Sequence, residues 1–497
     1  MATRHSCVIL ATAVVFTAAA FETALGAEDD LSLSDEVVPY HEFAQQGVDR
    51  PAMVSETFEK LLLSATSPRP HTDGDTENPP SSLIDQRSLF GGDRFLSPGP
   101  IDPGMRLPTG SVLRPSFTAF GTLRSGVQAF DGPSARSVEW ANLLELYGNI
   151  YFSNTERLLV GVRPLSRDGT FSGYTFDGGT LPRGWNDGLN FDPFALFFEG
   201  DLGEMLPFID PNDRFSLDYG ISIGRQPLVM QDGIMINDTI DSIGITRHNL
   251  FLFRASSSRI SVFVGLNDIH RSDNRRDSHA RLFAISTSND YEHATIEVDA
   301  AYVRGDPSQE SDGVYVGAGQ IRRFGHWNST LRANGSWALG QQSAAVSSGW
   351  LFTHELSRTL PFGDDIAYLN CYMGVDDYAS AARGPFTGGP LGRQGFLNRA
   401  VGLGRYGSAL GNNAGELIGA AIGFQHFFDD EAHRQMLFEI GGRTPYGAGP
   451  GLGSLGAGAR YQHGIGRHLI WVLGGYASVD ENGEAGYGVR SEMVVKF

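Results

Sequence analysis

From Pro115 to Phe497 apolar and polar residues alternate with a period of two, in run after run. Ala294, Ile296, Val298, Ala300 and Tyr302 alternate with Thr295, Glu297, Asp299 and Ala301. Phe215, Leu217, Tyr219, Ile221 and Ile223 alternate with Ser216, Asp218, Gly220, Ser222 and Gly224. Leu331, Ala333, Gly335 and Trp337 do so with Thr330, Arg332, Asn334 and Ser336, and Leu158, Val160 and Val162 with Arg157, Gly161 and Arg163. Successive side chains of an extended strand point to opposite faces, so each run has one apolar and one polar face. The abundance of glycine, 63 residues, and of aromatics, 11%, suits many turns and strands better than helices.

A soluble sandwich alternates too, so the connections carry the next step. Tight turns are expected at Ser153–Glu156, Ala255–Arg259, Phe324–Trp327, Phe428–Glu431 and Gly464–Arg467. Long loops fall between them, at Arg167–Asp192, Pro227–Asp241, Asp268–Ala280, Asp306–Asp312, Asp377–Gly415 and Arg443–Leu455. Short links on one side and long ones on the other are the sidedness of a transmembrane barrel. The expected fold is therefore all-β: a single closed antiparallel transmembrane β-barrel over residues 111–497, with about eighteen strands, sixteen being the alternative. The first strand lies near Ser116–Phe130 and the last at Tyr487–Phe497, and the pattern is weakest at the third-to-fourth link and at Pro193–Glu199. Beyond the N-terminus no run reaches the ~18 apolar residues of a membrane helix.

In lipid every backbone donor and acceptor must be paired, so the sheet closes, and a wall of this size encloses water. Its polar face carries Glu139, Glu145, Arg157, Arg163, Asp218, Glu297, Asp299, Arg332, Glu439, Arg490 and Glu492 as expected lumen lining. Trp140, Phe152, Tyr302, Trp337, Trp350 and Tyr487 are expected in the aromatic girdles. The last strand sets Tyr487, Val489, Met493, Val495 and Phe497 on one face, interrupted by Ser491, against Gly488, Arg490, Glu492, Val494 and Lys496. A strand with its final aromatic, Phe497, on the apolar face resembles the assembly signal of bacterial outer-membrane barrels.

Residues 1–27 read as an export signal: Arg4 and His5, an apolar run Cys7–Phe21, and the small-residue site Leu25-Gly26-Ala27. Its removal takes Cys7 away, and Cys371 alone makes neither a disulfide nor a zinc site. Residues 28–110 are rich in Pro, Asp, Ser and Thr, an expected mobile periplasmic extension in which Pro51–Ser64 could form a short helix through Met53, Phe58, Leu61 and Leu62. The formal charge of −19 excludes a nucleic-acid partner of the basic-face kind, and its overall sign suggests a weak cation preference.

The stretch Gly224-Arg-Gln-Pro-Leu-Val-Met-Gln-Asp-Gly233, followed by Ile234–Asp238 and Ile243–Arg247, resembles an element of the alginate-export-type and related substrate-selective 18-stranded porins of Gram-negative bacteria. The resemblance implies a strand ending in Gly-Arg-Gln, an entering loop and a return through the wall. It carries architecture and not substrate, since the arginine-rich pore of the alginate exporters is not apparent here. From the residues themselves, Pro227 is expected to end the strand, and Asp232-Gly233 is a turn signal. Leu228, Val229, Met230, Ile234, Met235 and Ile236 are too apolar for a solvated loop, so the segment is expected to fold inward. Arg225, Gln226, Asp232, Asp238, Asp241 and Arg247 would then form the pore constriction, a simple hairpin being the alternative. The loop Asp377–Gly415, with Arg393, Arg399 and Arg405, is a second candidate gate or a contact for lipopolysaccharide, and a mobile external loop is its plainer reading.

The functional expectation is an outer-membrane porin for small polar or charged solutes and not an enzyme, with no metal and no cofactor. An outer-membrane lipid hydrolase and a structural or adhesin barrel are the alternatives. Gly451–Gly456 matches GxGxxG but precedes a strand where a dinucleotide site needs a helix, and no GxxxxGK[ST] or HExxH occurs. Expected partners are outer-membrane lipid, lipopolysaccharide and the barrel assembly machinery, in a monomer or trimer.

Overall fold

The computed structural model describes residues 104–497 except 133–134, 154, 168, 180–181, 210–217, 307–310, 362, 430–431 and 448–452. The expected export signal, nearly all of the extension, and Phe215 to Leu217 lie outside the described residues. A short ribbon, Met105–Arg106 with Val112–Leu113, precedes the wall.

Eighteen strands make the wall, in chain order and each antiparallel to the next. They are β1 Ser116–Gly132, β2 Ala135–Tyr151, β3 Arg157–Val162, β4 Pro193–Asp201, β5 Tyr219–Met230, β6 Ile236–Leu250, β7 Ser257–Leu266, β8 Arg281–Asp290 and β9 Ala294–Arg304. The circuit continues with β10 Gly313–Phe324, β11 Trp327–Ala338, β12 Gly349–Thr359, β13 Ile366–Asp376, β14 Leu417–Phe427, β15 Arg434–Pro445, β16 Ser454–Ile465, β17 Leu469–Asp480 and β18 Ala485–Lys496. β18 returns to β1, from Tyr487 opposite Asp131 to Lys496 opposite Thr122. Phe497 completes the seam: its carbonyl accepts from the Gly121 amide (2.7 Å), and its amide donates to the Gly121 carbonyl (3.1 Å). Closure leaves no sheet edge, which is the condition for placing strands in hydrocarbon.

The weak stretch of the sequence pattern corresponds to real breaks. β3 covers only the lower part of β2, and the third strand resumes at Thr170–Asp177, which pairs the upper part. The fourth is divided likewise, Gly184–Asn186 preceding β4. Tight links 325–326, 291–293 and 466–468 share one end of the barrel, and the 377–416 loop leaves from the other.

Strand parity sorts the side chains. Val127, Ile243, Ile285, Val298, Ile422, Ile440 and Val489 stand on the outer face and are open to the surroundings, Val298 at 45% and Ile422 at 60%. An apolar belt around a closed wall is far larger than the patches soluble proteins tolerate. Aromatics border it: Trp140 beside Trp185, Trp337 beside Trp350 and Phe283 beside Tyr302 toward the long loops, Tyr461 with Phe428 and Trp471 toward the turns. Three buried apolar clusters lie inside the wall, where two segments that enter the lumen pack against it.

Candidate functional site

The inward positions of the ladder hold Glu139, Glu145, Arg157, Glu297, Asp299, Arg332, Glu439, Arg490 and Glu492, while Arg163 follows directly on β3 and Asp218 stands immediately before β5. Most are paired across neighbouring strands: Arg157 with Glu199, Arg163 with Glu145 (2.7 Å), Arg124 with Glu492 (2.6 Å).

The first inserted segment is the β5–β6 hairpin. Pairing of β4 with β5 stops at Leu196–Arg225 and pairing of β6 with β7 stops at Ser242–Gly265, while the β5–β6 ladder runs on to Met230–Ile236. The departure from the wall starts at Gly224, whose φ is +128°. A Cβ there would come within 2.2 Å of the Leu196 carbonyl oxygen, so only glycine fits the bend. The expectation that Pro227 ends the strand is corrected: Pro227 stays in the ladder opposite Thr239. There β5 has lost its β4 neighbour, and a missing donor on such an edge costs little.

Apolar burial sets the hairpin's direction. Leu228, Met230, Met235, Ile236 and Ile240 pack with Phe263, Leu282, Val303 and Tyr315 of the inner wall. Each would lose about 1.5–3 kcal/mol of burial if the hairpin pointed into water. The tip turns through Gln231 and Asp232, both with φ near +50°, and reaches β9 and β11. Gln231 Nε2 donates to Asp299 (2.8 Å), and Arg332 bridges Asp232 and Glu297. The tip fits there because β10 presents Gly317, where a Cβ would lie 2.5 Å from Gln231 Cγ.

The six residues expected at the constriction separate. Asp232 is at the tip. Gln226 and Asp238 face inward and are engaged, Gln226 Nε2 donating to Ser242 Oγ (2.8 Å) and Asp238 accepting from the His270 amide (2.9 Å). Arg225, Asp241 and Arg247 are not in the lumen. They share the parity of Ile223, Ile243 and Ile245 and stand on the outer side. Arg225 is held there by Asp241 (2.8 and 2.9 Å) and Asp268 (3.0 Å), and Arg247 donates to the Tyr219 hydroxyl (2.5 Å).

The second segment is the 377–416 loop. The mobile-external-loop reading is corrected: Leu391, Leu397, Leu403 and Leu410 are buried, and the chain crosses the lumen from the hairpin to the far wall. Ala382 and Arg383 pair in parallel with Ile236 and Asn237. Buried Arg383 donates to the carbonyls of Gly233 (2.7 Å), Gly388 (2.6 Å) and Gly389 (2.8 Å), and burial lowers its guanidinium to about 10. On the far side the Phe396 and Leu397 amides donate to Glu439 (3.0 and 2.8 Å), and Gln128 Nε2 donates to the Leu403 carbonyl (2.9 Å).

This crossing gathers arginines. Arg399 is exposed to solvent space yet enclosed by protein, and burial, then the charges of Arg460, Arg124 and Arg393, lower it to about 10. It remains cationic at neutral pH. Arg490 belongs to the same group, beside Glu492. Neither the Arg399 nor the Arg460 guanidinium has a hydrogen-bond partner among the described residues. Asp232, Glu297 and Glu355 gather about Arg332 and Arg393, with Arg393 3.7 Å from Asp232. Groups of both signs therefore line the lumen around the crossing, and a lining of that kind orients a polar solute. Arg124 and Arg460 were not singled out from the sequence, although Gly456, Gly458, Arg460 and Gln462 share one strand face.

No protein-family model matches the chain. No curated protein matches it. Among solved structures it is similar to a BenF-like porin from Pseudomonas fluorescens Pf-5, with 12% identity, 77% of this chain and 98% of that chain covered, and a TM-score of 0.52. OccAB3 of Acinetobacter baumannii (11% identity, 77% and 99% covered, TM-score 0.49) and OccK5 (OpdH) of Pseudomonas aeruginosa (10% identity, 77% and 98% covered, TM-score 0.48) are also similar. The first of these likenesses establishes the shared barrel fold.

Proposed function

We propose that the chain is a porin of the Gram-negative outer membrane, passing small polar solutes through its lumen and favouring anions. The membrane setting is supported by the apolar outer belt and its aromatic borders. The observation that carries the selectivity is the group Arg399, Arg460, Arg124, Arg393 and Arg490, two of whose guanidiniums have no described partner. Local charge at the narrow crossing governs permeation more than the sum over the chain. The cation preference suggested by net acidity is therefore replaced, because about half of the negative excess lies between Glu28 and Thr109, ahead of the first barrel strand in the sequence.

The test is the reversal potential of single channels in a planar bilayer under a KCl gradient. The wild type is expected to favour chloride, and Arg399→Gln with Arg460→Gln to shift the potential toward potassium. A wild-type channel that favours potassium would sink this reading of the arginines. A protein that inserts but never conducts would sink the porin itself.

A further inference from the structure

Outside the lumen, the turn end of the outer wall carries a site of its own. A cleft of about 510 Å³ there is lined by Arg254, Arg322, Gln320, Tyr291, Glu292 and His293, among others. Its volume is within the ~300–1,000 Å³ usual for small-molecule sites. The ladder fixes which side of the wall it opens on. Arg322 pairs with Ala294, Gln320 with Ile296 and Ala318 with Val298, so Arg322 and Gln320 have the parity of the exposed belt residue Val298. The cleft thus meets the lipid side, at the periplasmic rim.

The turn that supplies Arg254 is unusual in a second way. Phe253 and Arg254 both have positive φ, 52° and 64°. A bulky aromatic in that region is strained, and such strain gathers where a local shape is in use. Here the turn exposes Phe251 and Phe253, at 79% and 81%. Two exposed aromatics beside two guanidiniums suit the boundary of a bilayer, with rings at the acyl edge and cations at the phosphate level.

We propose that this cleft binds the headgroup of an anionic phospholipid of the periplasmic leaflet. Arg254 and Arg322 hold the phosphodiester, and Phe251 and Phe253 lie against the upper acyl chains. Two arginines against the single carboxylate of Glu292, which is 3.8 Å from His293, favour an anionic over a zwitterionic headgroup. The inference rests on the membrane reading above.

The experiment is native mass spectrometry of the full protein released from detergent micelles doped with phosphatidylglycerol, phosphatidylcholine or inorganic phosphate. Wild type is expected to retain one phosphatidylglycerol. Arg254→Gln with Arg322→Gln should cut the retained fraction about tenfold, as loss of charge-assisted pairing implies. Phe253→Gly relieves the strained turn and keeps both cations, and it should reduce retention less. Equal retention by wild type and the double variant overturns the proposal. Preference for phosphatidylcholine overturns it too, as does displacement by inorganic phosphate at equal concentration. Conductance of the same samples separates the two readings. A conducting protein that retains no lipid removes only the cleft, and a lipid-retaining protein that never conducts removes only the channel.

Discussion

The two segments that enter the lumen satisfy their backbone groups by different means. The β5–β6 hairpin is an extension of the wall: its ladder is unbroken to Met230–Ile236, its lower face is apolar, and its tip is caged by Arg332 and Asp299. The 377–416 loop has almost no ladder of its own. Its backbone is bound by side chains of other elements: Arg383 on carbonyls, Glu439 on amides, Gln128 on the Leu403 carbonyl. Apolar burial draws both inward, Leu391 and Leu403 of the loop included, but the hairpin satisfies its backbone through its own ladder and the loop through side chains of other elements. A buried loop without a ladder must find a side-chain partner for each orphaned amide and carbonyl.

The largest expected effect comes from removing the segment that crosses the lumen. Replacing residues 386–410 by a short Gly-Ser link should raise single-channel conductance several-fold and weaken the anion preference, because Arg393 and Arg399 leave with it while Arg124, Arg460 and Arg490 stay on the wall. Replacing the tip residues 231–235 should raise conductance less, since the hairpin's apolar part stays packed on the β7–β10 wall. Equal increases in single-channel recordings would break the comparison.

Next is Arg332→Met. It removes the ion-pair partner of Glu297 and the closer arginine on Asp232, which keeps Arg393 at 3.7 Å; both carboxylates are less than a quarter exposed. Breaking one side of a buried ion pair costs about 3–5 kcal/mol. The expected readout is a lower urea midpoint and faster hydrogen exchange at 231–235, with the exchange of 396–398 unchanged. If exchange at 396–398 rises equally, the two segments are one unit and the contrast fails.

How far each segment was legible follows from the same contrast. The hairpin's inward course could be read, because Leu228, Met230, Ile234, Met235 and Ile236 are apolar where an external loop would be polar. Its charged residues were assigned less well. Arg225 stands two residues from Ile223, and Asp241 two from Ile243, so the alternation that revealed the wall already placed them on the outer face. Proximity in sequence to the loop outweighed parity, and parity was the better guide. Pro227 misled because proline marks an edge as well as an end, and the edge here arises only when β5 leaves β4. The long loop hid its role. Glycine and arginine are as common in solvated loops as in one stitched through its backbone, and partners such as Glu439 and Gln128 lie far away in the chain. The wall itself, with its closure and its eighteen strands, was readable because each strand repeats the same two-residue rule.

The smallest expected effect sharpens the comparison at the base of the hairpin. There Asp268, in the loop 267–280, joins Arg225 (3.0 Å) to Arg276. Burial alone pushes the Asp268 carboxyl up, and the Arg276 and Arg225 guanidiniums more than offset it, so it sits below its ordinary range. A depressed carboxylate contributes stability that is present above its unfolded value of about 4 and lost as pH falls through the folded one. Acidification below about pH 4 should therefore loosen the loop over the hairpin before the barrel opens. Arg383, which fastens the long loop to the hairpin through carbonyls, has no proton to gain over that range. Amide exchange at residues 268–277 should accelerate a few-fold between neutral pH and pH 3, after correction for intrinsic rates, while residues 380–384 keep their protection. Asp268→Asn should bring the acceleration to neutral pH and flatten its pH dependence. Equal acceleration of both stretches would mean that the acid-sensitive tie lies elsewhere and that the hairpin base is not ionically held.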